Sequence, residues 1–301
     1  MIYIPQKQLE NLKKYVSSGK AVIIYGPRRC GKTTLLEHFQ KAIDPEKTLS
    51  VTGDDLTVRE YLSSQSLEKL TAFLGEKEYL IVDEAQRIPD IGLNLKIIVD
   101  HLKHVNVIAT GSSSFDLARH IGEPLTGRKT TLMMFPLSQM ELSSIESRHV
   151  TDDRLESRLI YGSYPQIILQ NNDALRKEIL KEIVSSYLMK DILELDHIRH
   201  SDKLVRLLQC LAFQIGKEVS MTELGTQLSM SKNTVDRYLD LLEKTFVIFR
   251  LTGLSRNLRK EITKNHRYYF TDNGIRNALI NGFNPLTMRN DIGMQILHLE
   301  R

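Results

Sequence analysis

The sequence has only two cysteines, Cys30 and Cys210, among 301 residues. They lie far apart, which excludes a disulfide framework, and no Cys/His cluster has the spacing of zinc ligands. Long apolar runs are missing too: none approaches the ~18 residues that a membrane span requires. The opening residues, Met1 to Lys7, carry no apolar core of signal-peptide length. These absences predict a cytoplasmic protein with no membrane partner. An excess of one charge is also lacking, with Lys plus Arg at 41, Asp plus Glu at 37 and a net charge of +4. So mild an imbalance permits a nucleic-acid partner without arguing for one. There is no internal repeat and no low-complexity segment. The remainder is ordinary for a globular protein, 41% hydrophobic and 26% charged, and the length suits about two domains of ~150 residues each.

What is present is organised around residues 21–36. Ala21-Val22-Ile23-Ile24-Tyr25 is a short apolar run, Gly26-Pro27-Arg28-Arg29-Cys30-Gly31-Lys32-Thr33 has the form G-x-x-x-x-G-K-T, and Thr34-Leu35-Leu36 opens a helix. Loop N–H groups can wrap a polyphosphate only where no Cβ intervenes, hence Gly26 and Gly31. The helix that follows starts with unpaired N–H groups and a partial positive charge, both of which favour an anion. Lys32 can reach the β- and γ-phosphates, and the Thr33 hydroxyl can ligate Mg²⁺. The pattern predicts an ATP site built from Gly26, Pro27, Arg28, Arg29, Cys30, Gly31, Lys32, Thr33 and Thr34. The competing reading is a plain Gly-bounded turn between a strand and a helix. Cys30, close to Lys32 at the helix start, is expected to have a lowered thiol pKa and raised reactivity. An inert buried filler is the alternative there.

A second apolar run, Tyr79-Leu80-Ile81-Val82, leads directly into Asp83-Glu84. A carboxylate at the end of a neighbouring strand can hold Mg²⁺, the role expected of Asp83. Glu84 is then placed to orient or deprotonate a water that attacks the γ-phosphate. A polar cap on a strand end is the bland reading of both. Val105 to Thr110 forms another strand-like run that ends in Gly111-Ser112-Ser113-Ser114. A polar residue at the tip of a strand between the two phosphate elements can touch the γ-phosphate or its water. Ser112 and Ser113 are the candidates, with a helix N-cap as the alternative. Arg128 is the candidate arginine finger, acting in cis or from a neighbouring subunit of a homo-oligomer, against a structural salt bridge.

The alternation of strands and helices through residue 137 predicts an α/β fold with a mostly parallel sheet covered on both faces. Its ligand belongs at the C-terminal strand ends, where the phosphate loop sits. Helices are expected over residues 6–18, 57–74 (one or two, with Leu62, Leu67, Leu70 and Leu74 inside) and 91–103. Beyond Ser138 strands nearly stop. Residues 176–195 read as one long amphipathic helix, with Ile179, Ile183, Tyr187 and Ile192 apolar. Residues 203–215, 222–228 and 232–243 read as three helices, followed by strand-like runs at 246–251 and 267–270. Arg256, Arg259, Lys260 and Lys264 lie between those runs. Three helices and a basic hairpin describe a winged helix-turn-helix. The predicted division is an ATPase domain over 1–137, a helical connector over 138–200, a winged helix over 201–280 and a shortened tail over 281–301.

Several stretches resemble a known family. They are Gly26 to Thr33, Ile81-Val-Asp-Glu-Ala-Gln86, Thr110-Gly-Ser-Ser-Ser114, Thr126-Gly-Arg128 and Phe135-Pro-Leu-Ser138. The set is similar to prokaryotic AAA-type P-loop ATPases whose C-terminal half is a domain of unknown function. Tyr187-Leu-Met-Lys-Asp191, Val219-Ser220, Thr234-Val235, Tyr238-Leu239 and Tyr269-Phe-Thr-Asp272 resemble that second half. The resemblance covers nearly the whole chain and implies ATP and Mg²⁺ as ligands. Members usually continue into a nuclease-like region. Here Met294-Gln295-Ile296-Leu297 stands where they carry Leu-x-Glu-Asn, so no nuclease activity is expected.

Three function classes follow. The first is an ATP-hydrolysing switch coupled to a winged helix that binds DNA through residues 231–264. The second is a nucleotide-gated regulatory or protein-interaction scaffold with little turnover. The third is a small-molecule kinase. The Asp83-Glu84 pair favours hydrolysis, and the helical C-terminal half shows no obvious substrate pocket for a kinase.

Overall fold

The structure, a computed structural model, describes residues 3–112, 125–188, 201–252 and 266–289. It divides into two compact units, Pro5–Phe135 and Pro136–Arg301, the latter also including Met1–Ile4.

The first unit is a three-layer α/β arrangement. Its elements are α1 (Gln8–Tyr15), β1 (Ala21–Tyr25), α2 (Lys32–Gln40), β2 (Thr48–Thr52), α3 (Leu56–Leu62), α4 (Leu67–Leu74), β3 (Tyr79–Asp83), α5 (Ile91–His101), β4 (Asn106–Gly111) and β5 (Lys129–Met133). The sheet order is β2-β3-β4-β1-β5, and every pairing is parallel. This is a mostly parallel sheet with flanking helices, the P-loop NTPase fold. All five residues of β1 are buried, as a central parallel strand covered on both faces demands. Burying each of Val22, Ile23 and Ile24 contributes about 1.5–3 kcal/mol. Leu12, Leu35, Leu36 and Phe39 pack with Val22, Ile24, Ile81 and Ile108 in one cluster.

The region over 57–74 is two helices. Gln65, at φ 51°, breaks the register, and Ser66 caps the second helix through the Lys69 N–H. Leu62, Leu70 and Leu74 are buried, but Leu67 is 40% exposed. It begins a helix and has no preceding turn to lie against.

The second unit is mainly helical. It contains α6 (Gln139–Ser143), α7 (Arg148–Tyr161), α8 (Pro165–Ile168), α9 (Asp173–Glu182), α10 (Ser201–Phe213), α11 (Met221–Leu228), α12 (Lys232–Lys244) and α13 (Asn273–Leu279). A three-stranded antiparallel sheet adds β6 (Glu218–Val219), β7 (Ile248–Leu251) and β8 (His266–Phe270), in the order β6-β8-β7. The expected long helix over 176–195 is instead α9 followed by a π-helical stretch, Ile183–Leu188, and Ile192 lies outside the described residues. Leu204, Leu207, Leu208, Leu211, Val235, Leu239 and Leu242 share one buried cluster with Tyr268 and Phe270. Strand β7 begins two residues later than its apolar run, because Phe246 takes a left-handed φ of 56°. Arg256, Arg259, Lys260 and Lys264 lie outside the described residues. No described helix is long and apolar enough to cross a membrane.

Candidate functional site

The site forms where β1 and β3 end. β1 delivers Gly26, and a Cβ there would stand 2.4 Å from the Met134 carbonyl oxygen. Gly31 takes φ 102°, and a Cβ on it would meet the Gln6 amide at 2.7 Å. Both positions therefore exclude a side chain, and the loop backbone stays open. Arg29 is also left-handed, at φ 64°, which curls the loop back towards the helix. No side chain caps the start of α2, so its first-turn N–H groups, Thr34 among them, lack the usual partner.

Lys32 is 6% exposed. Its Nζ donates to the carbonyl oxygens of Gly26, at 2.8 Å, and Pro27, at 2.9 Å. The cation is held over the loop where phosphate oxygens are expected. Thr33 Oγ1 donates to Asp83 Oδ2 at 2.8 Å, which joins the two predicted Mg²⁺ ligands across 50 residues of sequence. Among the described residues no group of three or more His, Cys, Asp or Glu could hold a metal ion. A cation here must take the rest of its shell from phosphate and water, as Mg²⁺ commonly does.

β4 runs between β3 and β1, so its tip lies between the two phosphate elements. Ser112, at that tip, is buried; Ser113 is outside the described residues. Sequence reasoning passed over Thr110, which is fully buried and donates to Asp83 Oδ1. Thr110 Oγ1 also accepts from the Glu84 N–H at 3.2 Å. Glu84 adopts a left-handed φ of 51°, and its carboxylate accepts from Gln86 Nε2 at 2.5 Å. Gly53 leaves room for this turn, since a Cβ there would stand 2.3 Å from the Glu84 carbonyl oxygen.

Two expectations change. Cys30 is fully buried, and burial, outweighing the nearby Lys32, pushes its thiol pKa up. It packs in the core beneath the loop, so the inert-filler reading replaces the reactive one. Arg128 precedes β5, and its carbonyl accepts from the Ala21 N–H at 2.9 Å. That is the start of β1, a strand's length of roughly 15 Å from the loop at its end. Its Nε donates to Asp100 Oδ1 at 2.6 Å, and this bond holds the Asp100 carboxyl below its usual range. Arg128 is a structural ion pair in its own subunit and does not reach its own site.

Gln6 was also missed. It is 6% exposed, its Nε2 donates to the Cys30 carbonyl at 3.0 Å, and its Oε1 is buried with no partner among the described residues. Its distance in sequence from the loop left no local signal.

Residues 18–143 match a family described as an AAA domain, and residues 152–286 match one described as a domain of unknown function (DUF8612). An uncharacterized protein of Haemophilus influenzae is 24% identical over 296 residues, covering 91% of this chain and 73% of its own. One of Mycobacterium tuberculosis is 26% identical over 270 residues, covering 89% of this chain and 58% of its own. The chain therefore spans little more than half of that mycobacterial relative. Among solved structures, a Walker-type ATPase of Pyrococcus abyssi superposes with a TM-score of 0.61 at 17% identity, over 92% of this chain and 96% of its own. The chain thus shares the fold of that Walker-type ATPase.

Proposed function

We propose that this chain binds and hydrolyses Mg-ATP as a molecular switch, with a winged-helix module in its second unit as the output. The observation that carries the reading is the Thr33–Asp83 hydrogen bond, which joins the hydroxyl and carboxylate a nucleotide-bound Mg²⁺ requires. Bound Mg²⁺ would neutralise charge on the phosphate oxygens. The backbone N–H groups from Gly26 to Thr34 cradle the triphosphate, with Pro27, Arg28, Arg29 and Cys30 shaping the loop. Lys32 exchanges its two carbonyl partners for phosphate oxygens. Glu84 accepts a proton from the attacking water, and Gln86 holds its carboxylate in place. Thr110 fixes Asp83 and the Glu84 backbone, while Ser112 lines the site between them.

Two substitutions test the reading. Lys32→Ala should abolish most ATP affinity in a calorimetric titration. Glu84→Gln should bind Mg-ATP normally yet turn it over roughly 10²–10⁴-fold more slowly, as for loss of a general base. Normal turnover in Glu84→Gln would assign the base elsewhere.

The order α10-β6-α11-α12-β7-β8, with its three-stranded sheet, supports the winged-helix reading. DNA binding through residues 231–264 would place the first turn of α12, Ser231, Lys232, Asn233 and Thr234, against base edges. Its signature is an affinity that falls with salt at a slope near ~0.9 per phosphate contact. A second reading, protein docking, is favoured by Asp236, Asp240 and Glu243 further along the same helix, which would repel phosphates.

A further inference from the structure

We propose that the cleft between α12 and the β7–β8 pair is a docking site for a basic protein segment that presents an arginine side chain. The cleft has a volume of about 290 Å³. One wall is a face of α12, where Asn233, Asp236, Asp240 and Glu243 recur at helical spacing, so that three carboxylates share one side. The other wall is Arg250 on β7 and Tyr268 on β8, which are direct cross-strand partners.

The carboxylates are not fully matched within the protein. Glu243 lies 3.5 Å from Arg250, and Asp240 lies 2.6 Å from Lys244. Asp236 has no ion-pair partner among the described residues. Burial first, and then the like charges of Asp240 and Asp236, push the Glu243 carboxyl pKa up, although Arg250 offsets part of this. Arg237 also lines the cleft, so the lining itself holds three carboxylates against two guanidinium groups, while Lys244 engages Asp240 from outside it.

Tyr268 supplies an independent mark. It is 3% exposed and lines the cleft, and its hydroxyl lies beside the Arg250 guanidinium without making a hydrogen bond of normal geometry to it. A buried hydroxyl left unpaired is unfavourable, and a donor entering from the cleft would satisfy it. A guanidinium fits both demands. Its planar fork matches a carboxylate, it is weakly hydrated, and it has N–H donors to spare for the Tyr268 oxygen. A DNA phosphate would instead meet charge of its own sign. The proposal rests on the protein-docking reading of this unit and needs no ATP hydrolysis.

The test uses the full chain and a fluorescent peptide of alternating Gly and Arg, titrated by anisotropy at 0.15 M salt, with duplex DNA in parallel. Combined Asp236→Asn, Asp240→Asn and Glu243→Gln should weaken the peptide about tenfold, as loss of several partly desolvated charges does. A control that neutralises three exposed acids of the first unit (Glu46→Gln, Glu60→Gln, Glu68→Gln) should change it less than about twofold, as for screened surface charge. Asp236→Asn alone, which breaks no ion pair, and Tyr268→Phe should each cost roughly threefold. These two keep the test valid if the triple variant melts early. Equal losses in the two triple variants, or no peptide binding at millimolar concentration, would overturn the cleft while leaving protein docking standing. Salt-dependent DNA binding that the cleft triple variant tightens, with no peptide binding, would overturn both.

Discussion

Lys32 bonds two carbonyls of its own loop in the absence of phosphate, so its arrival at a nucleotide is an exchange of partners. Gln6 secures the same loop from outside through the Cys30 carbonyl. Replacing it by leucine removes one hydrogen bond, worth about 1 kcal/mol. Gln6→Leu should therefore lower the melting temperature by roughly 2–4 °C, and an unchanged melting temperature by scanning calorimetry would free Gln6 of the role. Cys30 should resist iodoacetamide in the folded protein, with or without ATP, because its thiol is buried and its pKa is raised. Mass spectrometry after native labelling followed by denaturation checks this. That Lys32, Thr33, Asp83 and Glu84 fall at the ends of β1 and β3 is legible in the sequence because each sits in a local motif. Gln6, Thr110 and Gly53 are not, because they act on residues at least 24 positions away. Cys30 misleads because its neighbours in sequence are charged while its neighbours in space are apolar.

At the scale of elements, the start of α13 carries a titratable switch. Asp272 caps the helix by accepting from the Ile275 N–H at 3.1 Å, and it accepts from the Ser163 N–H at 2.7 Å. Burial outweighs these bonds and raises its pKa from 3.8 to about 6. A carboxyl raised on folding is more easily protonated in the folded state. The stability it contributes is fully present below its unfolded value and is lost as pH rises through about 6. The difference amounts to about 3 kcal/mol. Denaturant unfolding of the wild type and Asp272→Asn at pH 4.5 and 7.5 should show wild-type stability declining relative to the variant as pH rises. Parallel curves would remove Asp272 as the source. The buried strands were legible as apolar runs, and α12 as a strong amphipathic pattern. The break at Gln65 and the two-residue strand β6 were not, since a single left-handed residue and a two-residue pairing leave no period to read. The long helix over 176–195 overran because apolar spacing alone does not register a change from α to π winding at Ile183.

At the scale of the molecule, the placement of Arg128 bears on assembly. An ion pair with Asp100 at the start of the sheet predicts that Arg128→Ala keeps its ATP turnover within about twofold. It should lose at most about 1 kcal/mol of stability, as for a partly exposed pair. Mixing it with Lys32→Ala subunits should not raise the rate. A rate above the sum of the two would place Arg128 in a neighbour's site.

The strand order has a further consequence, in the time during which the chain is made. β1 is finished at residue 25, yet its partners are β4, beginning at Asn106, and β5, beginning at Lys129. A ribosome adds roughly 5–20 residues per second, so Val22, Ile23 and Ile24 wait on the order of 5–20 s for both neighbours to be synthesised. Such non-local pairing also folds slowly once the segments exist. An apolar strand with two open edges and no partner is a template for aggregation. The phosphate loop, held at the end of that strand, therefore cannot take its shape until the unit is nearly complete, and nascent chains arrested before residue 133 should neither bind nucleotide nor stay soluble without a chaperone.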